Sequence, residues 1–370
     1  MKKVNIIGGG LSGLLASLQL ARAGIEVEVF EKKNYPFHRV CGEYISLETL
    51  SFLRSLSAYP DQFNPPQIKR LQLTSVNGKS VILPLDLGGF GISRYNFDAF
   101  LFEKAKREGV VFHTNTEVEH VNFKGDDFEL QAAGKMFKAD LVIGSFGKRS
   151  KLDVQLKRSF IKKRSPYLGV KYHIQTSHPR DLIALHNFKG GYCGISNVED
   201  GKTNLCYLSH NDNLKKCHTI KEMEEHILFR NPFLKTIFKN STFLFEKPET
   251  INEISFETKS PVEDHILMAG DSAGMITPLC GNGMAMAIHA SKILSELATK
   301  FCKEEKYGRA QLEADYIKAW TNQFASRLWT GRQIQRLFGS EWASNVAVNL
   351  ALHAKPVANF LISKTHGREF

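Results

Sequence analysis

Three glycines near the amino terminus have the spacing that lets a polypeptide hold a dinucleotide. Gly8, Gly10 and Gly13 follow the apolar run 4–7 and precede a helical pattern that ends near Gly24. Gly8 permits a tight turn, Gly10 lets a pyrophosphate approach the backbone, and Gly13 lets the helix pack closely on the strand. The N–H groups at the start of such a helix also favour negative charge. This stretch is therefore predicted to bind a pyrophosphate.

The strand after this helix ends in an acidic residue that suits a ribose. Residues 26–30 alternate in polarity, and Glu31 follows them directly. A carboxylate at this place can accept hydrogen bonds from ribose hydroxyl groups. Leu11 and Ser12, which open the helix, and Lys32, which follows the acid, are expected to flank the same ligand. The order of these elements predicts a bound dinucleotide but does not separate NAD from FAD.

A second glycine-rich stretch, at 270–283, also joins a strand pattern to a helical pattern. The apolar run 265–269 precedes it, and a helical pattern covers 284–297. Backbone N–H groups and the positive end of a helix meet at such a point. The stretch is predicted to hold a phosphate or another electron-rich group.

The same stretch matches G-x-S-x-G, the nucleophile elbow of the α/β-hydrolases, with Ser272 as the nucleophile. An elbow leads directly into its helix, whereas Pro278, Gly281 and Gly283 intervene here. A hydrolase would also leave the amino-terminal glycines without a role. We therefore interpret this stretch as part of the cofactor site.

The polar loop after Glu31 carries Arg39, Cys41 and Gly42. It resembles the FAD-binding oxidoreductases of the para-hydroxybenzoate hydroxylase class and, within that class, the geranylgeranyl reductase family. In that family an Arg/Lys-x-Cys-Gly segment lies along the flavin. The resemblance implies a non-covalently bound FAD and makes Cys41 a candidate catalytic residue. A small residue packed beside a glycine turn is the alternative reading of Cys41.

Two further segments carry the same resemblance. Arg94 opens a Phe-Asp-x-x-Leu helix, and an arginine at this place in the family faces the flavin, although an exposed arginine at a helix start explains it as well. The stretch 270–291 resembles the third FAD fingerprint of the class. The resemblance implies that Asp271 accepts a ribityl hydroxyl and that Pro278 lies against the ring. The N–H groups at 281–283 would stabilise negative charge on the reduced flavin.

The second fingerprint of the class is altered in this chain. Residues 139–150 resemble Asp-Leu-Val-Ile-Gly-Ala followed by Asp-Gly and Ser, but Phe146 replaces the acid before Gly147. In hydroxylases of the class this motif is linked with FAD and NAD(P)H. NAD(P)H is therefore the expected reductant, and the change at Phe146 leaves the electron donor open. The residues predicted to contact FAD are Gly8, Gly10, Leu11, Ser12, Gly13, Glu31, Lys32, Arg39, Cys41, Gly42, Arg94, Val118, Gly147, Gly270, Asp271, Pro278, Gly281, Asn282, Gly283 and Met284.

A weaker candidate lies in the middle of the chain. Tyr192, followed by Gly201 and Asn204, has the outline of an aromatic segment that lines the substrate pocket in the geranylgeranyl reductase family. The Trp and the Phe-Pro of that segment are missing here, and a plain sheet edge explains it equally well. Tyr192 is therefore a candidate pocket or catalytic residue, and no acid–base residue is assigned.

The patterns predict a mixed α/β fold with a Rossmann-like FAD-binding domain, an interleaved β-rich substrate domain and a helical carboxyl-terminal tail. The FAD-binding domain is predicted at 1–66, 90–166 and 258–305, the substrate domain at 67–89 and 167–257, and the tail at 306–370. Besides the strands already given, strands are expected at 68–74, 80–85, 110–113, 117–123, 128–132, 136–140, 167–175, 204–209 and 242–256.

The composition is that of an ordinary globular protein, with 42% apolar and 24% charged residues. No apolar run approaches the ~18–20 residues that span a bilayer, and the amino terminus reads as a strand, not as a signal peptide. The six cysteines show neither C-x-x-C pairs nor zinc spacing, so reduced thiols are expected. We expect a monomer in the cytoplasm, with contact to a membrane surface left open.

The net charge of +11 favours an anionic partner. Eight basic residues and one acid, Asp153, lie within 148–164. A solvated surface loop explains this stretch, and steering of an anionic substrate, an acyl carrier or an anionic lipid surface is the functional alternative. No nucleic-acid recognition motif accompanies the charge, so no nucleic acid is expected.

Together the fingerprints predict an FAD-dependent oxidoreductase. The first hypothesis, from the resemblance, is hydride addition from reduced flavin to a C=C bond of an apolar or carrier-linked small molecule. The second is a monooxygenase that hydroxylates an aromatic or lipid-phenol ring. A halogenase is more remote, because no Trp-x-Trp-x-Ile-Pro segment is present. A non-catalytic FAD-binding protein is the alternative from another class.

Overall fold

The computed structural model describes residues 2–163, 165–252, 254–275, 281–337, 341–353 and 367–370. Its helices, in chain order, are α1 (Leu11–Arg22), α2 (Leu50–Ser55), α3 (Arg94–Arg107), α4 (Lys151–Gln155), α5 (Asn211–Cys217), α6 (Ile220–His226), α7 (Pro232–Asn240), α8 (Gly283–Lys303), α9 (Arg309–Leu337) and α10 (Glu341–His353). Its strands are β1 (Lys3–Ile7), β2 (Glu26–Phe30), β3 (Tyr44–Ser46), β4 (Gln67–Thr74), β5 (Ser80–Gly91), β6 (Val111–His113), β7 (Val118–Lys124), β8 (Asp127–Ala132), β9 (Lys135–Ala139), β10 (Leu141–Gly144), β11 (Tyr167–Gln175), β12 (Leu182–Phe188), β13 (Gly191–Asn197), β14 (Thr203–His210), β15 (Thr242–Phe243), β16 (Glu249–Asn252), β17 (Val262–Glu263) and β18 (Ile266–Met268).

A six-stranded sheet in the described part of the chain forms the centre of the half that contains the amino-terminal glycines, which we call the nucleotide-binding half. Its strand order is β17-β18-β10-β1-β2-β6, and its pairs are parallel apart from β17 with β18. The central strand β1 is apolar and buried, as a parallel strand covered on both faces must be. The carboxyl ends of β1, β2, β10 and β18 meet at one edge, so the segments that follow them are brought together there.

Helix α1 forms and ends as the sequence predicts. Its apolar residues pack against α3 and α8, and α8 packs against α9. The helix ends where Gly24 adopts a φ of +77° and the Ile25 N–H donates to the Leu20 carbonyl at 3.1 Å. A glycine in the left-handed region lets the chain turn at this point and enter β2.

A nine-stranded sheet carries most of the other half of the described chain. Its order is β15-β11-β14-β13-β12-β4-β5-β3, and β16 also pairs with β11. Helices α5, α6 and α7 contribute to an apolar cluster on one face, which includes Val170, Tyr172, Met223 and Leu234. The strand β12 and these three helices were not predicted from the sequence. The opposite face of the sheet is turned toward the nucleotide-binding half.

The mixed α/β class and the helical carboxyl-terminal segment are confirmed, as are most of the expected strands, with small shifts at their ends. The single strand expected at 242–256 is wrong: the described residues of this segment form the separate strands β15 and β16, with Pro248 between them. Proline lacks the N–H that a continuous ladder needs. The domain boundaries stay predictions; β3, inside the predicted segment 1–66, pairs with β5 in the nine-stranded sheet.

The tail adds two helices to the described chain. Trp320 and Phe324 on α9 are buried in the main core, whereas Trp329 is exposed. Val348 on α10 packs with Val81 and Leu83 of β5, so α10 covers part of the nine-stranded sheet. None of the described helices is both long and apolar enough to cross a lipid bilayer.

Candidate flavin site

A cavity of about 1,100 Å³ is lined by residues of both large sheets. One part of its wall comes from the segments that follow β1, β2, β10 and β18. Another part comes from the face of the nine-stranded sheet that is turned toward them. The cavity therefore combines the edge that the glycine motifs occupy with a long sheet surface.

Two of the amino-terminal glycines, Gly8 and Gly13, lie where a side chain would clash with the backbone. Gly8 has a φ of +102°, and a Cβ atom on it would lie 2.4 Å from the Ser145 carbonyl oxygen. A Cβ atom on Gly13 would lie 2.2 Å from the Gly8 carbonyl oxygen. Gly13 therefore lies behind the cavity wall and acts through packing. The turn connects β1 to α1 and packs against the segment that follows β10.

The start of α1 is open toward the cavity. Its N-cap, Gly10, is extended and supplies no capping side chain, so the first N–H groups of the helix keep no side-chain acceptor. The Ser12 hydroxyl is buried and has no hydrogen-bond partner among the described residues. Gly10, Leu11 and Ser12 all line the cavity. This cluster of free donors fits the pyrophosphate of FAD.

Glu31 lies at the end of β2, is buried and lines the cavity. Its carboxylate accepts the Gly9 N–H at 2.9 Å and an Arg39 N–H at 3.3 Å. These donors fix the carboxylate at the carboxyl edge of the sheet, where the ribose of a dinucleotide is bound in this fold. Lys32 and Val118 line the same end of the cavity.

Arg39 and Arg94 share one buried acid. Asp98 accepts from Arg94 Nε at 2.6 Å and from Arg39 Nε at 3.1 Å. The Arg94 side chain is only 11% exposed and lines the cavity, so the reading as an exposed arginine is wrong. Burial would lower the pKa of Arg94, but the charge of Asp98 outweighs it and raises that pKa.

The strip Val40–Gly42 is held to three other elements through its carbonyl oxygens. Val40 accepts from Lys148 Nζ at 3.4 Å, Cys41 from Asn204 Nδ2 at 3.2 Å, and Gly42 from Ser196 Oγ at 3.4 Å. Cys41 is half-buried, and both Cys41 and Gly42 line the cavity. The strip is therefore fixed between the fingerprint turns and the nine-stranded sheet.

Glu43 follows this strip and is a site residue that the sequence reasoning missed. Its carboxylate is fully buried and accepts from the Arg94 N–H at 2.8 Å, from His173 Nε2 at 2.7 Å and from Lys171 Nζ. Burial alone would raise the pKa of Glu43, but Lys171 and His173 hold it at about 2. Only its place after Cys41-Gly42 could have drawn attention to it, since its partners on β11 are remote in sequence.

The third fingerprint faces the same cavity. Gly270 and Gly281 have φ values of +61° and +65°, and a Cβ atom on Gly270 would lie 3.4 Å from the Ser12 Cβ atom. Gly270, Asp271, Gly281, Gly283 and Met284 line the cavity. Pro278 lies outside the described residues.

Asn282 differs from its neighbours. Its side chain is fully buried, and its Nδ2 atom donates to Glu48 Oε1 at 3.2 Å. It does not line the cavity. A side chain that points away from the cavity can contribute to the site only through the backbone or through packing.

Ser272 is a packing residue, not an exposed nucleophile. Its side chain is fully buried, and its hydroxyl exchanges two hydrogen bonds with the backbone of Gly147. A hydrolase nucleophile must reach its substrate from an open elbow. The hydrolase reading is therefore excluded on geometry.

Lys259 joins the second and third fingerprints and was not predicted from the sequence. Its ammonium donates to the Lys148 carbonyl at 2.9 Å and to the Asp271 carbonyl at 2.8 Å. Burial lowers the pKa of Lys259 to about 8. This lysine therefore holds the Lys148 segment against the turn that presents Asp271.

The basic stretch is divided between the cavity and the surface. Gly147, Lys148, Arg149 and Lys151 line the cavity. Arg158 is buried and bonded to Asp153 at 2.9 Å, so the reading of the whole stretch as a solvated loop is wrong. Among the described basic residues further along the stretch, Lys157, Lys162 and Lys163 are exposed.

One row of side chains crosses the nine-stranded sheet beneath the cavity. In register from β5 to β11 it reads Val81, Leu73, Leu185, Gly194, Cys206 and Lys171. The row has apolar side chains at the β5 end, the small residues Gly194 and Cys206 in the middle, and a charged side chain at the β11 end. Its four middle members line the cavity, as do Val346 and Leu350 of α10.

Tyr192 lies in this sheet surface. It is buried, lines the cavity and belongs to β13, which is paired on both sides with β12 and β14. The alternative reading of this segment as a sheet edge is therefore wrong. The placement of Tyr192 agrees with a pocket residue, and its role stays a prediction.

Comparison with known proteins places these features in a family. The profile of the family described as FAD binding domain matches residues 1–306. A digeranylgeranylglycerophospholipid reductase of Methanosarcina acetivorans is 25% identical over 334 residues, which cover 86% of this chain and 80% of that protein. A kynurenine 3-monooxygenase of Legionella pneumophila is 25% identical over 340 residues, which cover 81% of this chain and 73% of that protein.

The fold has close counterparts among solved structures. The flavin-dependent halogenase CmlS superposes with a TM-score of 0.80 at 17% identity, covering 100% of this chain and 74% of that one. At this identity the match concerns the fold alone. Taken with the geometry of the glycine turns, these findings mean that the chain belongs to the FAD binding domain family and is an FAD-dependent oxidoreductase of the geranylgeranyl reductase and para-hydroxybenzoate hydroxylase-like class.

Proposed function

We propose that this oxidoreductase reduces a C=C bond of a long apolar substrate. The observation that carries the proposal is the apolar half of the sheet face, which continues from the flavin site along one wall of the cavity. Leu71, Leu73, Leu85, Ile183 and Leu185 line that wall. Each apolar group removed from water there contributes roughly 25 cal/mol per Å² to binding.

The cross-strand row suggests the orientation in which such a substrate would bind. Its apolar end lies beneath α10, where Val346 and Leu350 line the cavity and are themselves more than a third exposed. Its other end approaches Cys41 and Glu43. An apolar chain bound along the row would place one end near the flavin strip and the other near α10.

When bound, reduced FAD would supply a hydride to one alkene carbon, and a proton would add to the other carbon. This chain's own side chains would orient the substrate and exclude water from the reacting bond. Cys41 and Tyr192 carry exchangeable protons at the cavity and are the candidates for the proton donor. NAD(P)H is the proposed source of the two electrons that restore the reduced cofactor.

The digeranylgeranylglycerophospholipid reductase relative supports an isoprenoid lipid as the substrate class. The second candidate function is hydroxylation of an aromatic ring, which the kynurenine 3-monooxygenase relative supports at equal identity. Reaction with oxygen separates the two.

The test uses the FAD-loaded protein, reduced without oxygen by NADPH or dithionite, and mixed with a geranylgeranyl lipid. We expect the flavin absorbance to return to the oxidised form without oxygen and the lipid mass to rise by two hydrogens per reduced bond. A saturated lipid of the same head group is the control and should leave the flavin reduced. Substrate-dependent oxygen uptake with oxygen incorporated into an aromatic substrate would instead establish the hydroxylase.

A further inference from the structure

We infer that Glu43 and Lys171 are positioning residues that hold the strip Val40–Gly42 against the nine-stranded sheet and set the charge balance beside the flavin. The inference concerns the cofactor site and applies whether the enzyme reduces or hydroxylates its substrate. Neither residue belongs to a glycine fingerprint: Glu43 directly precedes β3, and Lys171 lies on β11.

The backbone at Glu43 is held in a conformation that needs support. Its φ is +54°, which is uncommon for a residue other than glycine. Its carbonyl accepts the Ile92 N–H at 3.1 Å, and its carboxylate has donors on α3 and on β11. Strained positions of this kind persist when several surrounding contacts fix them. Here the fixed residue directly follows Cys41 and Gly42.

Strand β11 presents the two basic partners on the face toward this strip. Lys171 and His173 both bond Glu43, whereas Val170 and Tyr172 belong to the apolar cluster on the opposite face. Asn204, which pairs with His173 in the sheet, donates to the Cys41 carbonyl at 3.2 Å. The neighbouring strands β11 and β14 therefore bind Glu43 and Cys41 of the same loop by hydrogen bonds.

The charges of the pair balance each other. The Lys171 side chain is fully buried, and Glu43 is the acid that its ammonium contacts among the described residues. The nearby Arg94 and Arg39 are already paired with Asp98. Removing one member of a buried pair leaves the other uncompensated. Because reduction adds negative charge to the flavin, a stranded positive charge favours the reduced form and a stranded negative charge opposes it.

The test measures the midpoint potential of the bound flavin in Glu43→Gln, Lys171→Met and the double variant, with FAD content and affinity alongside. We expect a positive shift in Glu43→Gln, a negative shift in Lys171→Met, and a return toward the wild-type value in the double variant. In Lys171→Met the carboxylate keeps its donors from His173 and Arg94, so that variant retains an ionised Glu43. Each single variant should also bind FAD more weakly than the double variant.

Glu224→Gln is the matched control. Glu224 is a buried carboxyl on α6, which packs on the face of β11 opposite to Lys171. It accepts hydrogen bonds from the Tyr172 hydroxyl at 3.0 Å and the Tyr207 hydroxyl at 2.7 Å. We expect no shift of the potential in this variant. Shifts of the same sign in both single variants, or a double variant that fails to recover, would overturn the inference. If Glu43→Gln does not fold, the sign of the Lys171→Met shift decides alone, and a positive or absent shift refutes the proposal.

Discussion

The Ser272 hydroxyl accepts a hydrogen bond from the Gly147 N–H at 2.8 Å and donates one to the Gly147 carbonyl at 3.2 Å. This exchange ties the third fingerprint to the altered second one. The serine that would be the nucleophile of a hydrolase thus links the second and third fingerprint turns. Lys259 supplies a second tie, between Lys148 and Asp271.

Replacing this serine should weaken the site without touching the cavity wall. Ser272→Ala removes both bonds and leaves backbone groups of Gly147 without that partner, so we expect a loss of about 1–3 kcal/mol in the free energy of unfolding and weaker FAD binding. Ser295→Ala is the matched control, because the buried Ser295 hydroxyl has no hydrogen-bond partner among the described residues. Urea unfolding and FAD titration of both variants test this. Equal effects of the two substitutions would contradict it.

A substitution at Gly10 should impair cofactor binding without impairing folding. A Cβ atom on Gly10 would find its nearest neighbour, Arg94 Nη2, at 3.9 Å, so the folded chain has room for a side chain there. The added atoms of Gly10→Val would occupy the cavity beside the start of α1. We expect a folded protein that purifies without FAD.

Gly13→Ala is the contrasting variant, because its Cβ atom would lie 2.2 Å from the Gly8 carbonyl oxygen. We expect this variant to lose stability as well as FAD. Far-ultraviolet circular dichroism, thermal unfolding and the flavin absorbance of the purified proteins measure both outcomes. Stoichiometric FAD in Gly10→Val would show that the pyrophosphate is bound elsewhere.

Gly194 lies in the middle of the cross-strand row and should control how far an apolar substrate extends. A Cβ atom there would lie 3.6 Å from the Cys206 carbonyl oxygen and 3.7 Å from Leu185 Cδ2, which is ordinary contact. Gly194→Ala should therefore be tolerated, and the longer side chain of Gly194→Leu should project into the cavity. We expect the larger substitution to raise KM at least tenfold for a geranylgeranyl lipid and much less for a short prenyl substrate. An equal effect on both substrates would mean that the chain does not bind along this row.

The parts of the fold that were predictable are local in sequence. The turns at Gly8 and Gly270 can be recognised from the sequence, because their φ values of +102° and +61° favour glycine. The cluster around Glu43 could not be found this way, since Lys171 lies 128 residues away and only the tertiary fold brings it close. Sequence patterns show the spacing of residues along one element, whereas this contact depends on how the loop before β3 packs against β11.

Two of the helices that were not predicted do have start signals in the sequence. Asn231 caps α7 through its side chain, with Pro232 in the first turn, and Thr219 caps α6. Both are recognisable start signals. The strand β12 was harder, because its parallel partner β4 lies about a hundred residues earlier and no local turn sets their register.

Glu224 predicts how stability changes with pH. Burial raises its pKa to about 7, although the hydroxyls of Tyr207 and Tyr172 lower it in part. A carboxyl whose folded pKa exceeds its unfolded value of 4.5 binds more protons in the folded state between these values. Its contribution is therefore complete below about pH 4.5 and is lost as the pH rises through about 7. The half-buried His38 and the buried His289, whose pKa values desolvation lowers to about 4, act with the opposite sign.

The comparison of wild type with Glu224→Gln isolates this one group, because the histidines are common to both proteins. We expect the free energy of unfolding of the variant, relative to wild type, to rise by on the order of 3 kcal/mol between pH 4.5 and pH 8. Urea unfolding of the FAD-free proteins at several pH values gives this difference without the linkage that a bound ligand adds. Parallel pH profiles of the two proteins would contradict the raised pKa of Glu224.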